Sequence, residues 1–174
     1  PGRSTRRISA SATSLRVTLR SPNAIDTTSN TRSGNGSDSA LHWTVGSALF
    51  ALFGAGLLGL AHTWPSVNKW THGTLITAMH GHSAFYGAYA MIVLAMIAYT
   101  LPQFTGRKLW DTPMANWAFW TSNIGMVGMT GALAAAGITQ VTLERRLGLD
   151  FLAVQKEIEM HFVGMLLAAA LFTV

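Results

Sequence analysis

From residue 41 onward the chain alternates between long apolar runs and short polar breaks. Residues 41–64 carry no formal charge. As a helix this run extends roughly 36 Å at about 1.5 Å per residue, enough to cross about 30 Å of hydrocarbon. Residues 70–101 and 114–143 are also uncharged, and at 32 and 30 residues they must tilt or extend beyond the hydrocarbon. A fourth run, residues 158–174, is shorter and carries Glu159 and His161 near its start. The breaks are Trp64-Pro65-Ser66-Val67-Asn68-Lys69, Pro102-Gln103-Phe104-Thr105-Gly106-Arg107-Lys108 and Glu144-Arg145-Arg146. Trp43, Trp64, Trp70, Trp110, Trp117 and Trp120 all fall near run ends, where an aromatic belt would sit. Ala51, Ala55 and Gly59, and Gly125, Gly128 and Gly131, recur at spacings that let helices approach closely in lipid. The pattern predicts an all-α membrane protein, a helical bundle of about four transmembrane helices over residues 41–174.

Residues 1–40 are of a different kind. They hold nine Ser, six Thr, six Arg and two Asp, with no Phe, Tyr or Trp. Such a segment buries too little to offset the entropy of ordering it, and it reads as a disordered tail. The whole chain is 174 residues with a net charge of +5, of which the tail supplies +4. A basic balance often points to nucleic acid. Here the surplus sits in a tail without aromatics beside a nearly neutral body, so the expected partner is the lipid bilayer and not nucleic acid. With no cysteine, a disulfide scaffold, an iron–sulfur site and a thiol nucleophile are excluded. The chain begins at Pro1 and ends at Val174 inside an apolar run, so the expectation is a fragment of something longer.

The chemistry concentrates in the second run. Met79-His80-Gly81-His82 follows Leu75-Ile76-Thr77-Ala78 and precedes Ser83-Ala84-Phe85-Tyr86-Gly87-Ala88-Tyr89. Both histidines therefore stand about two turns into a membrane helix, where ionisable side chains are costly and default to a functional role. Residues i and i+2 lie roughly 200° apart around a helix, so the two imidazoles point away from each other and cannot chelate one ion. If both bind metal, they bind two metals on opposite sides of the helix. Neutral imidazole is a common axial ligand of heme iron, and one helix between two hemes fits this geometry. Hydrogen bonding to neighbouring helices, or a proton relay, is the competing reading of the pair.

The wider sequence adds to this. Trp70-Thr71-His72-Gly73-Thr74 through Met79-His80-Gly81-His82-Ser83-Ala84-Phe85-Tyr86-Gly87-Ala88-Tyr89-Ala90-Met91-Ile92-Val93-Leu94 closely resembles the tenth transmembrane helix of the catalytic, cytochrome b subunits of bacterial nitric oxide reductases, in the heme–copper oxidase superfamily. Gly54-Ala55-Gly56 with His62-Thr63 and Val67-Asn68 resembles the preceding helix and loop, and Ala134-Ala135-Ala136-Gly137-Ile138 with Gln140-Val141 resembles the eleventh helix. The resemblance covers roughly residues 40–174 and implies a C-terminal part of a twelve-helix fold.

By that resemblance His80 matches the proximal ligand of the high-spin heme where nitric oxide reacts. His82 matches an axial ligand of the low-spin heme that delivers electrons. The cofactors implied are two b-type hemes, plus a non-heme iron whose ligands match helices outside this chain. Heme propionates in the family lie on the side where the tenth helix begins, near Thr71, His72 and Thr74. His72 is thus a candidate cofactor-binding residue behind the two ligands, while His42 and His62 read as interfacial. The implied reaction reduces nitric oxide to nitrous oxide in respiratory denitrification, at the bacterial inner membrane, with a cytochrome c subunit or quinol as electron donor. The segment alone is expected to be inactive. Residues 1–39 depart from the family pattern, which marks the tail as a candidate non-native stretch. An oxygen-reducing terminal oxidase subunit I and a non-enzymatic heme-binding or structural membrane protein are the alternatives.

Overall fold

The computed structural model describes residues 27–106 and 112–173, with side chains at 38–106 and 113–173. Helices and their connections make up the described residues, with no strand among them. A first rod consists of α1 (Thr27–Phe50), a widened π-helical segment (Ala51–Leu57) and α2 (Leu58–Thr63). It stops at Trp64, whose backbone is extended and which is followed by Pro65 at the first position of the short α3 (Pro65–Thr71). Proline suits that position because the first turn has no intrahelical use for its missing N–H. The joint His72-Gly73-Thr74 follows, with Gly73 at φ +74, in the left-handed region that glycine enters without penalty.

The second rod runs through α4 (Leu75–Phe85), a π segment (Tyr86–Ala90) and α5 (Met91–Thr105), ending at Gly106 with φ +63. The third is α6 (Thr112–Val141), closed by a π segment (Thr142–Arg146). The last, α7 (Phe151–Phe172), is capped by the Asp150 side chain, which accepts from the Ala153 N–H at 3.1 Å.

Three stretches, Asp38–Thr63, Leu75–Thr105 and Pro113–Arg146, are long and apolar enough to cross a membrane. Helix α7 is not among them, because Lys156, Glu157 and Glu159 occupy its first half. Three of the about four expected spans meet that length and composition among the described residues, and the fourth expected stretch lies in α7, which packs along α6. A second difference lies at the N-terminal side. Residues 27–40, expected to be disordered, belong to α1. Once the apolar run has nucleated a helix, extending it costs little per residue even through Ser, Thr and Asn. The expectation for residues 1–26 falls outside the described residues.

The core forms where the rods meet. Ala40 and Trp43 from α1, Tyr86, Met91, Ala95 and Ala98 from the second rod and Met126 from α6 are buried together, with Phe50, Phe119 and Phe172 packed against them. Trp43 is thus a core residue, edge-on to Phe119 at 5.1 Å, and not part of an aromatic belt. Trp64, Trp117 and Trp120 are well exposed, as a belt requires, and Trp110 lies outside the described residues.

The π segments tie the rods together. At the end of the first, the Leu58 N–H bonds the Phe53 and Ala55 carbonyls and passes over Gly54. At the end of the second, the Met91 N–H bonds the Tyr86 carbonyl and passes over Gly87. Both bypassed carbonyls accept a bond from the other rod: Gly87 from the Ser47 hydroxyl at 2.6 Å, and Gly54 from His80 at 2.7 Å. These glycines also lie where the rods almost touch. A Cβ on Gly54 would come within 2.6 Å of the Ser83 Cβ. One on Gly87 would overlap the Phe50 Cβ and lie 2.7 Å from its carbonyl carbon. Gly125 seats α7 in the same way, since a Cβ there would stand 2.5 Å from the Phe172 nitrogen.

Gly87→Ala should therefore overpack the first two rods and destabilise the chain by about 1–3 kcal/mol. Gly131, with nothing within 4 Å of an added Cβ, is the control and should tolerate alanine with little change. Thermal unfolding of the two variants in detergent distinguishes them; equal stabilities would refute this account of the packing.

Candidate functional site

His80 and His82 stand on α4, on opposite faces as their spacing requires. His80 turns toward the first rod. Its Nδ1–H donates to the Gly54 carbonyl at 2.7 Å, and its ring meets that of His62 edge-on, with centroids 5.0 Å apart. Gly59, on α2, borders the same ring: a Cβ there would lie 3.3 Å from the His80 Cε1. His82 turns the other way. Its Nδ1–H donates to the Ala78 carbonyl one turn earlier at 2.8 Å. It lines an apolar cleft of about 650 Å³ together with Ala78, Gly81, Phe85, Tyr86 and Met126.

These bonds determine the tautomer. A carbonyl only accepts, so each Nδ1 carries the proton in the neutral ring. Each Nε2 then keeps a free lone pair, the state in which imidazole ligates a metal. Gly81, between the two histidines, has nothing among the described residues within 4 Å of where a Cβ would be, so the helix surface there is open.

Of the other histidines, one changes its standing. Sequence reading places His62 at the interface, yet the fold brings it to His80. Its Nδ1 is buried and finds no hydrogen-bond partner among the described residues. Two signals could have found it: it lies at the end of the run that precedes the one carrying His80, and it belongs to the resembling His62-Thr63 segment. His72 is exposed at the α3–α4 joint, where its N–H bonds the Asn68 carbonyl at 2.9 Å. The ring that packs on His80 is that of His62 rather than His72. His42, also exposed, lies against Phe119 with ring centroids 5.5 Å apart. His161, on α7, has a buried Nδ1 with no partner among the described residues. No group of three or more metal-ligating side chains converges among the described residues.

The molecule is thus a helical membrane protein with two imidazoles on opposite faces of one membrane helix, each tied at Nδ1 to a backbone carbonyl. The chain belongs to the family of cytochrome c and quinol oxidase polypeptide I, whose family model matches residues 21–171. That match takes in half of the stretch read from sequence as a tail. A nitric oxide reductase subunit of Stutzerimonas stutzeri is 46% identical over 109 residues, covering 59% of this chain and 23% of that protein. The cytochrome c oxidase subunit 1 homolog of Agrobacterium tumefaciens (strain T37) is 35% identical over 81 residues, 46% of this chain and 15% of its own length. The chain thus spans less than a quarter of the length of these relatives.

Membership of this family implies heme, and the residues present fit it. The donor set is imidazole with Nε2 free. The His82 cleft is apolar and open over Gly81. The Tyr86 hydroxyl, on a residue 3% exposed and lining the same cleft, is buried without a partner among the described residues.

If the two tautomers are as the carbonyl bonds require, nitrogen-15 NMR of histidine-labelled chain should show protonated Nδ1 and unprotonated Nε2 at His80 and His82 when the rings are neutral. A protonated Nε2 in the neutral His80 ring would contradict the assignment.

Proposed function

We propose that this chain forms the part of a nitric oxide reductase catalytic subunit that holds two b-type hemes from one helix. The observation that carries the reading is the His80-Gly81-His82 pair, with a free Nε2 on each side of α4. In this reading His80 would hold the iron of the high-spin heme through its Nε2, and its Nδ1–H bond to Gly54 keeps the ring oriented and the Nε2 electron-rich. His82 would hold the iron of the low-spin heme, and the apolar cleft beside it would receive the face of that group. His72, at the mouth of the helix, supports the carboxylate edge of the cofactors. Bound heme iron supplies electron transfer and the centre at which substrate reacts. The overall reaction takes two nitric oxide molecules, two electrons and two protons to nitrous oxide and water. The similarity to the nitric oxide reductase of Stutzerimonas stutzeri supports this choice of substrate. In this reading the protein works in the bacterial inner membrane, a cytochrome c subunit or quinol supplies the electrons, and a non-heme iron completes the centre with ligands from other helices.

The similarity to a cytochrome c oxidase subunit 1 homolog favours a second reading, reduction of oxygen at the same pair of hemes. Turnover separates the two: nitric oxide consumption with nitrous oxide release supports the first, and oxygen consumption without it supports the second.

The ligand roles are tested in the holoenzyme containing this chain. His82→Ala should abolish the low-spin heme spectrum and spare the high-spin one. His80→Ala should do the reverse, and each should lower turnover by at least about a thousandfold, since an essential centre is lost. Retention of both spectra in both variants would overturn the assignment.

A further inference from the structure

Helix α4 begins without a side-chain cap of its own. Thr74, the residue at its cap position, accepts from the Thr77 N–H through its carbonyl at 3.0 Å, but its hydroxyl turns to the Thr71 carbonyl at 2.7 Å and caps no N–H of the first turn, leaving that of Leu75 to find an acceptor elsewhere. The missing acceptor comes from far along the chain. The Gln140 Oε1, on α6, accepts from the Leu75 N–H at 3.0 Å, and the Gln140 Nε2 donates to the Glu144 Oε1 at 3.1 Å. Gln140 is 6% exposed. One turn earlier, Gly137 lets the α6 backbone meet the start of α4, since a Cβ there would stand 2.5 Å from the Ile76 nitrogen. Just beyond, the Arg145 guanidinium donates to the Lys69 and His72 carbonyls at the end of α3. The end of the third rod therefore grips the α3–α4 joint on both sides, and between the two grips lies Gly73, the residue best able to swing.

We infer that Gln140 is a positioning residue for His80 and His82, acting through the first turn of α4. The geometry gives the reason. His80 lies five positions beyond Leu75, roughly 7.5 Å along the helix axis. Its bond to Gly54 comes from a different rod than the one that holds Leu75. The helix is thus pinned at its start by α6 and at His80 by the first rod, and these two points set its height and its rotation. Release of the first pin frays the opening turn, and the strain falls on the second. A glutamine suits the position because it must accept from Leu75 and donate to Glu144 at once, which neither a carboxylate nor an apolar residue does.

The inference rests on the proposed ligand roles only for its consequence for heme, so the test is made on the full chain without heme, in detergent. Gln140→Leu should raise amide exchange at Leu75 and Ile76 roughly tenfold, the effect of losing a helix cap. It should also shift or broaden the His80 Nδ1–H proton signal. The exchanged pair, Gln140→Glu with Glu144→Gln, keeps one acceptor and one donor in place and should restore both readouts. Arg145→Gln, on the other grip, should raise exchange at His72 while Leu75 stays protected. Unchanged Leu75 protection in Gln140→Leu would overturn the inference. So would faster exchange with an unmoved His80 signal, since Gln140 would then cap the helix without positioning the ligand. If Gln140→Leu fails to fold, the exchanged pair decides: native protection with a native His80 signal supports the inference, and a displaced His80 signal overturns it. Loss of heme in the histidine variants bears on the proposed function alone and leaves these readouts unaffected.

Discussion

A hydrogen bond between the His80 Nδ1 and the Gly54 carbonyl holds the rest of this structure to its purpose. In an apolar environment every backbone polar group must find a partner, and helices normally consume their own carbonyls. A carbonyl free to serve another helix has to be made available locally. The π segment at Ala51–Leu57 does this by letting the Leu58 N–H pass over Gly54. The absence of a side chain at Gly54 lets the second rod come near enough to use the carbonyl. The same device recurs in mirror fashion at Gly87, whose carbonyl accepts from Ser47. Each of the first two rods therefore offers one carbonyl and one donor to the other, and the packed aromatic cluster of Phe50, Tyr86 and Phe172 fills the space beside them.

The two histidines share a helix but not an environment. His80 is partly buried, fixed from a neighbouring rod and flanked by His62. His82 is exposed to an apolar cleft and fixed by its own helix through Ala78. In the proposed reading such a difference would suit two metal centres of different character, since a ring held from outside its helix is harder to move than one held from within. It also explains why the start of α4 matters. The ring of His80 can meet Gly54 only if α4 has the right height and rotation, and those are set where Gln140 and Arg145 hold the α3–α4 joint.

Much of this was legible in the sequence, and the parts that were not have physical causes. Charge-free runs and proline breaks located the three spans, because hydrocarbon thickness imposes a length that composition reveals. The i, i+2 spacing placed the two imidazoles on opposite faces without any tertiary information. By contrast, the π segments have no compositional signature: Ala51–Leu57 is as apolar as its surroundings, and its widening follows from cross-rod bonding. His62 looked interfacial because its role depends on how α2 turns back at Trp64 and Pro65. Trp43 followed the belt pattern by position, but Phe119 from α6 gave it a core partner. The start of α1 at Thr27 was hidden because a polar tract that would not form a helix alone continues one begun in an apolar run. Gln140 and Arg145 were visible only as a motif neighbour and a terminal charge, since their partners lie 65 and 73 positions away in the chain.

The central claim is that one helix presents two Nε2 atoms to two separate irons while the His80 Nδ1 remains bonded to Gly54. A cryo-electron microscopy map of the holoenzyme containing this chain tests it most directly. The account predicts two porphyrin densities on opposite sides of α4, one bonded through His80 Nε2 and the other through His82 Nε2, with the Gly54 contact intact. Both histidines converging on one metal, or a His80 ring turned to ligate through Nδ1, would contradict it.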